Sequence, residues 1–107
     1  MAGIVIGPVS AFPDGRGVAV DIGGRRVAVF RVGDHVYALD DRCSHRGFPL
    51  YDGFVEHASV RCRTHGACFD LVTGTVLRGP ARRAVRAYRA AIVGDHVVVD
   101  VDTVASA

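Results

Sequence analysis

Two short cysteine–histidine pairs constrain this chain more than any other feature. Cys43 and His45 stand two positions apart, Cys62 and His65 stand three apart, and sixteen residues separate the pairs. Each pair sets one thiol and one imidazole at the tip of a loop, so the fold has to present two such tips. Gly47 and Gly66 follow within two residues of the histidines, which lets the backbone turn tightly around a bound object. Two thiolates and two imidazoles form a metal-ligand set. Zinc accepts those donors, and a zinc-stabilised interaction module is one reading. The usual zinc spacing, however, pairs like with like, C-x-x-C followed by H-x-x-x-H. Two mixed pairs, each with its own glycine, fit zinc less well.

The segments around the pairs read as β structure. Residues 4–6 form a first short strand ended by Gly7 and Pro8. Residues 18–22 are largely β-branched, Gly23 and Gly24 signal a tight turn, and 26–32 return with alternating character. Gly33 and Asp34 turn the chain into a third strand, 35–39, so a meander leads directly to the first pair. Near the C-terminus 84–90 alternates, Gly94 and Asp95 turn, and 96–101 completes a hairpin; 103–107 is expected to fray. Between these regions, 41–80 is rich in Gly, Cys, His and Arg. Only short strands are expected there, at 59–61, 68–70 and 76–77. No segment has helical periodicity with caps.

The 107 residues make one domain, 1–107. No apolar run approaches a membrane span. The N-terminus lacks the basic and apolar regions of a signal peptide, so a soluble cytoplasmic protein is expected. The third thiol, Cys68, is read as a small buried residue on the strand leaving the second loop, since both pairs are complete without it. His35 and His96, each after a Gly-Asp turn, are read as solvated, and His57, with no cysteine at ligand spacing, is not assigned to a metal. All thirteen basic residues are arginine and the net charge is only +2. They are spread along the chain as solvated positions rather than in the stripe a nucleic-acid surface needs.

The stretch from Cys43-Ser44-His45-Arg46-Gly47 to Cys62-Arg63-Thr64-His65-Gly66 resembles the cluster-binding motif of Rieske proteins. His65-Gly66-Ala67-Cys68-Phe69-Asp70 with Thr73-Gly74 resembles the family's second loop and the hairpin after it. Gly79-Pro80-Ala81 resembles its proline loop. The resemblance implies an all-β Rieske fold: an antiparallel β base with an inserted two-loop cluster-binding subdomain at about 41–80. It also implies one 2Fe–2S cluster, with Cys43 and Cys62 on one iron and His45 and His65 on the other. With two thiolates instead of four, the oxidised centre is neutral rather than a dianion, and it accepts an electron more readily. Potentials accordingly rise from about −400 mV in plant-type ferredoxins to about −150 to +300 mV.

Several positions place the chain within the family. High-potential Rieske proteins carry an extra cysteine in each loop; here the matching residues are Phe48 and Thr64, so that disulfide is absent. They also carry a serine and a tyrosine whose hydroxyls donate to cluster sulfur. Ala67 and Phe69 stand there instead, which implies a lower potential. One departure is Arg63, where the family usually has proline. The implied role is a soluble one-electron carrier, not an enzyme. It would take electrons from a flavin-dependent ferredoxin reductase and pass them to a terminal oxygenase, such as an aromatic-ring dioxygenase. It is expected to act as a monomer, with no nucleic acid or membrane partner. Arg46 and Arg63, next to the ligands, are expected to rim the docking face. The alternative within the family is the small Rieske subunit of an assimilatory nitrite reductase.

Overall fold

The computed structural model describes residues 3–44, 47–63 and 66–104. The meander forms as its turn signals require. Strand β2 (Arg16–Ile22) pairs antiparallel with β3 (Arg25–Val32), closing at Ile22 opposite Arg25. β3 pairs with β4 (His35–Asp40), closing at Val32 opposite His35. Strand β1 (Ile4–Pro8) lies apart from this meander, against the C-terminal strand. Between β4 and the C-terminal hairpin come four three-residue strands: β5 (Phe54–Glu56), β6 (Ser59–Arg61), β7 (Cys68–Asp70) and β8 (Val76–Arg78). The hairpin is β9 (Ala87–Val93) with β10 (His96–Val104).

Two antiparallel sheets result. The larger has the order β1-β10-β9-β4-β3-β2, and the smaller is a meander in the order β5-β6-β7-β8. The sheet with the longer strands is therefore interrupted after β4, and the small sheet fills the interruption.

Side-chain alternation along β3 and β4 explains how the two sheets join. Val27, Val29, Val36 and Ala38 point to one side, into a core shared with Phe12, Ile22, Tyr88, Val97 and Val99. Ile6 from one edge strand and Val18 and Val20 from the other pack on that same core. The six-stranded sheet therefore curls around it. Ala28, Phe30 and Leu39 point to the other side, into a second core with Val60, Phe69, Leu71 and the two motif cysteines, Cys43 and Cys62. Strand β3 is thus buried on both faces in its middle, which accounts for the apolar run Val27-Ala28-Val29-Phe30 in place of strict alternation.

Most strands run one or two residues beyond the ranges read from the sequence, β1 through Gly7 and Pro8 among them, and three differences are larger. The strand expected at 84–90 runs from Ala87 to Val93 instead. Val85 is buried and its N–H donates to the Gly74 carbonyl at 2.9 Å, so this stretch packs on the small sheet before β9 begins. β9 then extends because Val93 pairs with His96 across the turn. Strand β5 was not anticipated: its three residues are too few to show a period, and it forms because β6 lies beside it. β10 continues to Val104, past the expected onset of fraying; residues 105–107 lie outside the described residues.

Candidate metal centre

The two motif loops are built alike. In the first, the Cys43 N–H donates to the Phe48 carbonyl at 2.6 Å, and the Gly47 N–H donates to the Cys43 carbonyl at 2.7 Å. In the second, the Cys62 N–H donates to the Ala67 carbonyl at 2.7 Å, and the Gly66 N–H donates to the Cys62 carbonyl at 3.1 Å. Each cysteine thus closes a loop on the residues four and five positions ahead. Closing it requires left-handed backbone, and Gly47 and Gly66 supply φ of +77° and +78°. A Cβ on Gly47 would also meet the Arg42 guanidinium, whose Nε is 3.2 Å from that point.

Both cysteines are 2% exposed, and both thiols are free of disulfide. They belong to one packed cluster that includes Leu50, Ala67 and Phe69. Beyond them the loops turn outward: Ser44 is half-buried and Arg63 is exposed. The structure therefore sets two buried thiols at the roots of two matching loops. His45, His65, Arg46 and Thr64 lie outside the described residues. His35 and His96 are exposed, as expected, and so is His57; no group of three or more metal-ligating side chains occurs among the described residues.

Asp41 is a site residue that the sequence reading missed. Its carboxylate is buried at the junction of β4 and the first loop. Oδ1 accepts the Leu50 and Tyr51 N–H groups, both at 2.8 Å, and Oδ2 accepts Arg26 Nε at 2.7 Å. The Asp41 N–H in turn donates to the Arg26 carbonyl at 3.0 Å. Asp41 thereby ties the far end of the first loop to β3. The hydrogen bond and the negative charge of Asp41 raise the Arg26 pKa above its usual value. The Arg26 guanidinium also lies over the Tyr51 ring, 5.6 Å from its centroid. Arg26 is thus a bonded residue rather than the solvated charge expected. The signal was available: a turn pairing Val32 with His35 puts Arg26 opposite Asp41 by counting.

A second polar chain lies behind β4. Arg25 Nη1 donates to the Tyr88 hydroxyl at 3.2 Å, and that hydroxyl donates to Asp40 Oδ1. The first loop is also held on its other flank, where the Ser44 hydroxyl donates to the Arg83 carbonyl. Cys68, expected to be buried, is half-buried on β7, between Arg61 and Arg78 in the sheet register. Its thiol donates to the Gly66 carbonyl at 3.6 Å. The Arg63 guanidinium lies over the Phe54 ring, 6.0 Å from the centroid, beside that of Arg61 at 5.0 Å.

A pair of buried thiols in matching glycine-closed loops suits a centre held between them, and comparison with known proteins gives the family. The family model of the Rieske [2Fe-2S] domain matches residues 3–89. The chain belongs to that family. This Rieske chain is 32% identical over 88 residues to the ferredoxin component of the naphthalene 1,2-dioxygenase system of Pseudomonas aeruginosa. That alignment covers 82% of this chain and 85% of the relative. Among solved structures, it resembles the ferredoxin of carbazole 1,9a-dioxygenase from Nocardioides aromaticivorans IC177, with a TM-score of 0.87 and 30% identity over 92% of this chain and 97% of the other. It also resembles a chain in the complex of reduced oxygenase and oxidized ferredoxin in carbazole 1,9a-dioxygenase. There the TM-score is 0.83 and the identity 26%, over 91% of each chain.

As a Rieske protein the chain binds one Rieske-type 2Fe–2S cluster and serves as an electron-transfer component rather than as a catalyst itself. The buried thiol pair is the donor set that such a cluster needs on one of its irons. The match sets aside the zinc module, for which like-paired spacing was already lacking. No helix among the described residues is long and apolar enough to cross a membrane.

Proposed function

We propose that Cys43 and Cys62 hold one iron through their thiolates, that His45 and His65 hold the other through their imidazoles, and that the protein shuttles electrons between a flavin-dependent ferredoxin reductase and a terminal oxygenase. The observation that carries this reading is the pair of loops closed by the same two hydrogen bonds, each rooted on a buried thiol. The bound cluster supplies a one-electron couple. The protein's own residues hold the ligands still and keep water from the sulfur side, through Leu50, Ala67 and Phe69, all fully buried. Asp41 and Arg26 support the first loop, and Ser44 docks its flank on the segment before β9. The relatives' names support an oxygenase as acceptor. In this reading the chain acts as a cytoplasmic monomer, a single domain over 1–107 with the cluster-binding part at about 41–80.

The test is direct. Purified protein should contain two irons and two acid-labile sulfides, and when reduced it should show the low average g-value of a mixed nitrogen–sulfur ligand set. Cys43→Ala, Cys62→Ala, His45→Ala and His65→Ala should each abolish the signal. A native-like spectrum in any of the four overturns the ligand assignment. Isolation from the native host in a fixed complex with a large sirohaem protein would overturn the shuttle and favour the nitrite reductase subunit.

A further inference from the structure

The described charges around the first loop are one-sided. From residue 71 to residue 94 the chain has five arginines and no Asp or Glu. Three of them, Arg82, Arg83 and Arg86, lie in the segment that packs beside the Cys43 loop, and Arg42 faces them from the loop itself. All four are exposed, and none forms an ion pair with a carboxylate among the described residues. Two adjoining hollows record the arrangement. One of about 390 Å³ is lined by Arg42, Arg83 and Arg86 together with Cys43 and Gly47. The other is lined by Pro80, Arg82 and Arg83, and the two share Ser44 and Arg83. They form one groove running from the proline segment to the root of the first ligand loop. The single carboxylate in its lining, Asp40, accepts the Tyr88 hydroxyl.

The opposite flank differs. Arg61 and Arg63 lie over the Phe54 ring. Their guanidinium groups are partly occupied by an aromatic face, and no such ring contact occurs for the groove arginines among the described residues.

We propose that this arginine groove is the surface on which an acidic patch of the oxygenase docks, so that electrons leave on the side of the Cys43 loop and not symmetrically around both loop tips. The inference rests on the carrier reading and adds to it a face and a charge. The groove satisfies two requirements together. It concentrates positive charge next to a ligand residue, where charge steering speeds encounter most. Its guanidinium forks match carboxylates bidentately, which fixes orientation as well as attraction.

The experiment uses the reduced holoprotein, with hexacyanoferrate(III) as an anionic one-electron oxidant that is reduced to hexacyanoferrate(II), and hexaglutamate as a stand-in for an acidic protein surface. Stopped-flow rates across a salt series are compared for wild type, for Arg82→Glu/Arg83→Glu/Arg86→Glu, and for Arg16→Glu/Arg61→Glu/Arg63→Glu on the Phe54 flank, where Arg16 lines one hollow with Phe54 and Arg63. The two triple variants change the net charge equally, so a difference between them is local. The groove triple should slow oxidation about tenfold at low salt, flatten the salt dependence and abolish inhibition by hexaglutamate. The Phe54-flank triple should slow it less than about threefold and remain inhibited. If the groove triple folds poorly, the corresponding glutamine triple should show the same ordering with smaller changes. The iron–sulfur spectrum of each variant, recorded first, reports on the carrier reading separately from the rates. Equal slowing by both triples, a larger effect from the Phe54 flank, or no inhibition of wild type by hexaglutamate would overturn the groove as the docking face.

Discussion

Asp41 shows how one buried carboxylate can organise a ligand loop. It satisfies two backbone N–H groups and one guanidinium. Asp41→Ala strands the Leu50 N–H inside the protein and should cost about 2–4 kcal/mol, since unsatisfied buried donors cost about 1–3 kcal/mol each and bonds to charged groups are stronger than average. Asp41→Asn keeps an acceptor for the two N–H groups and should recover about half of the loss. Urea unfolding with parallel iron analysis checks both, and an unchanged midpoint in the alanine variant would refute the role.

Tyr88, on β9 beside β4, gives a pH-dependent counterpart. Burial, then the hydrogen bond to Asp40, raises its phenol pKa. A raised folded-state pKa means that this contribution is fully present below about pH 10, the unfolded tyrosine value, and is lost as pH climbs through the folded value. Wild type should therefore lose stability above about pH 10. Tyr88→Phe should begin about 1 kcal/mol lower and decline less steeply, as read from urea midpoints between pH 8 and 11. The absence of hydroxyls at Ala67 and Phe69, both fully buried, bears on the potential instead. It should lie toward the lower end of the roughly −150 to +300 mV range, and a redox titration near the top of that range would mean that other donors reach the sulfurs.

At the scale of elements, the β7–β8 turn and the segment before β9 are fitted to each other. Gly74 has φ of +77°, its carbonyl accepts the Val85 N–H, and a Cβ on it would stand 2.1 Å from the Val85 carbonyl oxygen. A methyl group there cannot be accommodated without moving backbone. Gly94 also has positive φ, +63°, but nothing lies within 4 Å of its Cβ position. The comparison separates strain from clash. Gly94→Ala should cost only the left-handed penalty of about 1–2 kcal/mol. Gly74→Ala should cost more than that and weaken cluster retention as well, because the displaced segment carries the Arg83 carbonyl that holds Ser44. Equal losses in the two variants, measured by denaturation, would show that the contact at Val85 relaxes freely.

Across the whole molecule, the two cores differ in what they depend on. One lies inside the curled six-stranded sheet and contains none of the motif residues. The other includes both motif cysteines and is covered by three-residue strands. Stripping iron from the protein should therefore loosen one region before the other. Hydrogen exchange of the apoprotein should show faster exchange from residue 42 to residue 86, with β3, β9 and β10 still protected. Uniform loss of protection would mean that the two cores unfold as a single unit.

The spacing of Cys43, His45, Cys62 and His65, with glycine closing each loop, was enough to point to the family that the comparisons show, because ligand chemistry is local and the loops close on near neighbours. The meander β2-β3-β4 and the final hairpin were legible for a similar reason: Gly-Gly and Gly-Asp turns set their register within a few residues. Arg26 opposite Asp41 followed from that register, yet its importance did not, because sequence alone does not show which carboxylate becomes buried. Strand β5, the delayed start of β9 and the placement of β1 beside β10 were decided only by the tertiary structure. In each case the partner that completes the backbone hydrogen bonds, or the core that buries the side chain, comes from a distant part of the chain. The same holds for the arginine groove. Arg42 is remote in sequence from Arg82, Arg83 and Arg86, and the two groups come to one face through the Ser44 hydroxyl on the Arg83 carbonyl and the Asp40 N–H on the Arg86 carbonyl.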